Sequence, residues 1–130
     1  MVVDSSALVA IAFGEPERDL FSQAILSAAS PVMSAANWVE AAIVADRKLP
    51  GDGSNRFDRL VQALSIRIVP VSANQARLAR AAYRDFGFHS PVRALNYGDC
   101  FAYALAKETG QPLLYKGDDF PKTDIRAALS

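Results

Sequence analysis

One cysteine and one histidine in 130 residues remove several common chemistries from consideration. A lone cysteine, Cys100, forms no internal disulfide and fits a reducing cytoplasm. Cys100 and His89 are too few to supply the nitrogen and sulfur ligands of a zinc site. Cys100 reads as a small buried hydrophobe, and His89 as a solvent-facing loop residue. Charge of one sign is missing as well: 14 Lys and Arg balance 14 Asp and Glu, so no global field draws the chain to nucleic acid. Binding of that kind has to come from a local patch. No apolar stretch approaches the roughly 20 residues of a membrane helix. Asp4 and the acidic cluster 15–19 interrupt any secretory leader pattern. No glycine-rich fingerprint follows the first strand, and there is no Walker lysine. Ser5 and Ser6 lack the glycine elbow of a serine nucleophile. The expectation is a cytoplasmic protein with no membrane partner.

What is abundant is apolar: 51% of residues are hydrophobic. Two explanations stand side by side, an additional buried interface such as a homodimer, and a simple excess of helical alanine. The length suggests one domain, residues 1–130. Short apolar runs at 1–4, 31–33, 66–71 and 111–115 read as strands. Between them, helical periodicity predicts helices over 7–13, 16–29, 35–49, 55–65, 73–86 and 98–109. Ser5 or Ser6 is the expected cap of the first helix, Ser34 of the third, and Ser72 with Gln75 forms an expected capping box. The ten-residue loop 88–97 is long enough to suggest a functional role. Short strands alternating with amphipathic helices predict an α/β fold, a parallel sheet covered on both faces.

Against this frame, four acidic sites have no ordinary surface explanation. Asp4 ends the apolar run Met1-Val2-Val3. Glu40 interrupts Asn37-Trp38-Val39-Glu40-Ala41-Ala42. Asp99 opens the apolar helix that continues Cys100-Phe101-Ala102-Tyr103. Asp118 and Asp119 follow Leu113-Leu114-Tyr115. Taken singly, Asp99 is a favourable charge in the first turn of a helix, Glu40 a helix-edge residue and Asp119 a turn residue. Asp4 sits at the carboxyl end of the first strand and Asp118 and Asp119 just beyond the fourth, where ligands bind in such sheets. Glu40 is about two turns into the helix after the second strand, and Asp99 is in the first turn of its own. Converging carboxylates repel, and a hard cation such as Mg²⁺ or Mn²⁺ resolves the repulsion. The chemistry that suits such a site is hydrolysis of a phosphate ester. One of Ser5 and Ser6 is expected to hydrogen-bond a metal ligand or a phosphate.

The segments around these acids carry a resemblance. Asp4-Ser5-Ser6-Ala7-Leu8 looks like the opening of PIN-domain ribonucleases, and Ser34-Ala35-Ala36-Asn37-Trp38-Val39-Glu40 resembles their second motif. Asn96-Tyr97-Gly98-Asp99-Cys100-Phe101-Ala102 resembles the third. Leu113-Leu114-Tyr115-Lys116-Gly117-Asp118-Asp119-Phe120 resembles the fourth. Order, spacing and length are similar to the VapC toxins of type II toxin–antitoxin modules. The resemblance implies a PIN-like three-layer α/β/α fold with four or five short parallel strands. It implies a Mg²⁺- or Mn²⁺-dependent endoribonuclease acting on RNA such as tRNA or rRNA, usually homodimeric and neutralised by a VapB antitoxin. By position it makes Asp4 and Asp99 direct metal ligands and Glu40 the third acid. The fourth is Asp118 or Asp119, with Asp119 preferred because it precedes Phe120. Asp124 is expected to be structural. Ser5, Ser6, Asn37, Lys116 and Arg93 are candidate substrate contacts, Lys122 is a further basic candidate near the site, and Arg77, Arg80 and Arg84 share a helix face as a secondary basic patch. Two other readings remain. One is a non-catalytic PIN-like module binding RNA or protein. The other is a phosphatase of the haloacid dehalogenase type, which needs a second Asp where Ser6 stands.

Overall fold

A computed structural model describes residues 1–129; Ser130, the end of the expected terminal tail, lies outside the described residues. Four strands form one parallel sheet in the order β3-β2-β1-β4. They are β1 (Val2–Val3), β2 (Val32–Ser34), β3 (Arg67–Val69) and β4 (Leu113–Leu114). The helices are α1 (Ser5–Ala12), α2 (Arg18–Ser27), α3 (Ala35–Lys48), α4 (Gly53–Ala63), α5 (Ala73–Phe86) and α6 (Tyr97–Thr109). A 3₁₀ turn over Phe120–Lys122 follows β4.

The expected α/β architecture is therefore present, with β1, β3 and β4 shorter than the apolar runs that predicted them and β2 shifted by one residue. Prolines explain part of the shortening, because each lacks an amide donor. Pro70 immediately follows β3. Pro31 and Pro112 precede β2 and β4, where their carbonyls still accept from Arg67 and Val2 at 3.0 and 2.9 Å.

Strand alternation sorts the core into two halves. Val3, Met33 and Leu114 point into a cluster with Leu8, Ile11, Phe21, Ile25, Phe57 and Val61, from α1, α2 and α4. Val2, Val32 and Leu113 point the other way, against Ala79, Ala82, Cys100, Tyr103 and Leu105 of α5 and α6. Helices thus cover both faces, giving three layers. Both β1 residues are fully buried, and the chain leaves the sheet at Asp4.

Two caps differ from expectation. Asp4, not Ser5 or Ser6, caps α1, accepting from the Ser6 amide at 3.0 Å. Ser72 does accept from the Gln75 amide, but the Gln75 side chain turns away to Glu108 on α6, so that box is only half formed. The complete box is at α6, where Asn96 and Asp99 cap each other. The 88–97 loop is folded back on itself. Buried Ser90 donates to the Gly87 carbonyl at 2.7 Å and accepts from the amides of Val92 and Arg93.

Candidate active site

Asp4 is the innermost of the acids, 1% exposed. Its Oδ2 accepts from the Ser6 amide and, at 2.6 Å, from the Ser6 hydroxyl. Its Oδ1 is buried without any hydrogen-bond partner. A buried carboxylate oxygen in that state is costly, and a native fold keeps one only where something else meets it. Burial pushes the Asp4 carboxyl up to about 7, with the charges of Asp99 and Glu40 adding to the rise and the Ser6 hydrogen bonds opposing it.

Asp99 stands half-buried in the first turn of α6, its Oδ2 accepting from the Asn96 amide at 3.0 Å. Burial raises it to about 6, and the charges of Glu40 and Asp119 push in the same direction. Burial of the neighbouring Cys100, with the Asp99 charge adding to it, pushes that thiol up to about 11, so it stays protonated and inert.

Glu40 reaches the same place from α3. Its Oε1 accepts a short bond from the Ser5 hydroxyl and a long one, 3.4 Å, from Asn37 Nδ2. Asn37 is fully buried and also donates to the Gly98 carbonyl at 2.9 Å, so one amide ties α3 to the tip of α6. The Glu40 carboxylate lies in the space that a Cβ on residue 98 would fill. Gly98 is thus part of the site.

Asp4, Glu40, Asp99 and Asp119 are therefore coupled by charge, from β1, α3, α6 and the turn after β4. Asp118, like Asp119, is exposed, and its charge is not among those acting on Asp99. Among the described residues no three Asp, Glu, His or Cys side chains form a ready-made metal cage. The orphaned Asp4 Oδ1 and the all-oxygen donor set fit a hard cation.

The remaining candidates are distributed as follows. Ser5 and Ser6 both bond acidic side chains, which makes them orienting groups for Glu40 and Asp4. Lys116 is close to the site through its backbone, which donates to the Ser6 hydroxyl at 3.0 Å. Its ammonium points elsewhere, paired with Glu15 and Glu17 at 3.2 Å each. Those two carboxylates, Glu17 foremost, raise the Lys116 pKa. Arg93 is exposed in the 88–97 loop with φ 52°, and among the described residues no ion pair joins it to the acids. Asp124 lies apart from the acidic cluster, accepting from the Tyr103 hydroxyl at 2.6 Å and Lys107 at 2.9 Å, the structural role expected of it. Sequence reasoning missed Gly98, the Lys116–Glu15–Glu17 clasp and Asn96 as the partner of Asp99. The last had a readable signal, an Asn with an acid three residues on.

The comparisons with known proteins agree with this geometry. Residues 1–126 match the PIN domain model. The Ribonuclease VapC of Mycolicibacterium smegmatis is 45% identical over 127 residues, 98% of each chain. The crystal structure of VapC20 of Mycobacterium tuberculosis, described as a sarcin–ricin loop cleaving toxin, superposes with a TM-score of 0.76 at 15% identity, covering 95% of each chain. A chain of a toxin–antitoxin complex from Klebsiella pneumoniae superposes at 0.70 with 18% identity, over 92% of this chain and 88% of that one. The fold likeness and the family match leave no room for a haloacid dehalogenase phosphatase. The chain belongs to the PIN domain family and, within it, to the VapC ribonucleases.

Proposed function

We propose that this type II toxin endoribonuclease hydrolyses RNA phosphodiesters with a Mg²⁺ or Mn²⁺ ion held by Asp4 and Asp99, with Glu40 and Asp119 acting beside them. The observation that carries the reading is Asp4 Oδ1, buried and unpartnered, with the charges of Asp99 and Glu40 acting on the same carboxyl. Bound there, a divalent cation supplies Lewis acidity, lowering the pKa of water and neutralising charge on the leaving oxygen.

The chain's own residues do the positioning. Ser6 fixes the Asp4 carboxylate so that Oδ2 is occupied and Oδ1 is free for the ion. Asn96 holds Asp99, and Ser5 with Asn37 holds Glu40 against Gly98. Such pre-set geometry is what lets charged groups act without reorganising during the reaction. Protons on Asp4 and Asp99 must leave before the ion binds, so binding strengthens as pH rises through 6 and 7.

The RNA is a tRNA or a ribosomal RNA loop, the latter supported by the structural neighbour described as a sarcin–ricin loop cleaving toxin. The partner that neutralises the toxin is a VapB-type antitoxin, and the working unit is a homodimer in the cytoplasm. Support for the partner comes from the toxin–antitoxin complex among the structural neighbours. No helix of the described residues is long and apolar enough to cross a membrane.

The test is cleavage of labelled RNA by the purified chain, with and without Mg²⁺ or Mn²⁺, beside Asp4→Asn. Cleavage that needs the metal and disappears in the variant is the expected result. Equal cleavage by the variant refutes the assignment of the site. RNA binding without cleavage under any metal would mean a non-catalytic module.

A further inference from the structure

We propose that the depression between α5 and α6 is a stacking pocket for an RNA base flanking the scissile phosphate, with the α5 arginines holding adjoining phosphates. The proposal rests on the RNA-cleaving reading above and extends it to where the substrate strand runs.

The depression has a volume of about 280 Å³ and is walled by Ala76, Ala79, Arg80, Tyr83, Tyr97 and Phe101. Tyr97 is 76% exposed, more than any other large hydrophobic residue that reaches the surface. It is also held in place. Phe101, one helical turn on, meets it edge-to-face with ring centroids 4.9 Å apart and an interplanar angle of 77°. A fixed ring with an open face is what a nucleobase stacks on, whatever its sequence. The small residues Ala76 and Ala79 leave the room opposite that ring.

The location ties the pocket to the reaction. Tyr97 adjoins Gly98 and stands two residues before Asp99 in the first turn of α6, so the two side chains leave different faces of the same helix tip. A strand passing over the acids can place a flanking base, not the reacting nucleotide, in the pocket.

Charge supplies the second observation. Arg77, Arg80 and Arg84 line a further depression on α5, and Arg80 belongs to both depressions. Among the described residues Arg77 and Arg80 make no ion pair, and Arg84 pairs only with its neighbour Asp85. In a chain of zero net charge, three arginines within two turns form a local site for phosphates.

The test places the fluorescent base 2-aminopurine at successive positions of a short RNA bound to the full chain in EDTA, where no cleavage occurs. One position next to the cut site should show quenched emission, lost in Tyr97→Ala and kept in Tyr97→Phe. With metal present, Tyr97→Ala should raise KM about tenfold to a hundredfold with little change in kcat, as loss of one stacked base implies. Arg77→Ala with Arg80→Ala should weaken binding and flatten its salt dependence. Unchanged quenching and KM in Tyr97→Ala, while the wild-type chain still cuts RNA, would overturn the pocket and leave the ribonuclease reading intact. A changed oligomeric mass in Tyr97→Ala would also overturn it, by showing that a second copy covers the face. Failure of the wild-type chain to cut any RNA would strike the ribonuclease reading itself.

Discussion

The Glu40 carboxylate occupies the volume a side chain at Gly98 would need, with both oxygens packed against the missing Cβ. A methyl group there has to push Glu40 aside. Alanine also favours a helix over glycine by about 1 kcal/mol. Gly98→Ala should therefore leave thermal stability within a few degrees of wild type while cutting kcat by about tenfold or more. Melting curves beside RNA-cleavage rates test this; loss of both together would mean a folding defect instead.

Asp4→Asn separates function from stability more sharply. The amide oxygen still accepts from Ser6, so the cap of α1 survives, and the buried negative charge is gone. The variant should be as stable as wild type or more so at pH 7–8 in EDTA, yet lose cleavage by at least about a hundredfold. A strongly destabilised variant in a denaturant melt would contradict this.

The metal-free protein should lose stability as pH rises. Asp4 is lifted in the fold from its ordinary value to about 7, and Asp99 to about 6. Between about pH 4 and pH 7 the unfolded chain has released protons that the folded chain retains, so the folded state is progressively disfavoured. For Asp4 alone the difference is on the order of 4 kcal/mol. Tm in EDTA should fall by roughly 5–15 °C between pH 5 and pH 8. Mg²⁺ should restore part of it at pH 8 and little at pH 5, because binding requires the ionised carboxylates. A Tm that rises with pH in EDTA would refute the assignment.

Asp119 and Asp118 are adjacent and both exposed, but only Asp119 adds its charge to Asp99. Asp119→Asn should lower cleavage by about tenfold, most visibly at low Mg²⁺. Asp118→Asn should stay within about twofold of wild type. A titration of rate against Mg²⁺ for both variants decides, and the reverse order would move the fourth acid to Asp118.

Much of this was legible because apolar context made the acids conspicuous. Met1-Val2-Val3 has to be buried, so Asp4 had to sit at the end of an interior strand. The alternation of short strands and helices likewise gave the three layers, with Val2 and Val3 facing opposite halves of the core. What stayed hidden depended on meetings across the fold. Nothing local to Gly98 says that a glutamate 58 positions earlier will lie on it. Lys116 looked like an RNA contact because it is next to the fourth motif, yet Glu15 and Glu17 lie within its reach only once β4 lines up beside β1. The α1 cap was misplaced by one or two residues because Ser5 and Ser6 are good cap types. Their hydroxyls instead serve Glu40 and Asp4.

That lysine has one more implication. Lys116 stands three positions before Asp119, and the fold turns its ammonium outward onto two glutamates while its amide steadies Ser6. The protein thereby withholds this lysine from the carboxylates as a counter-ion. An occupant that satisfies Asp4 has to bring positive charge from outside, whether as a metal, a polyamine or the guanidinium of another chain. Whatever silences this site by filling it will be cationic at its tip, and it will compete directly with Mg²⁺.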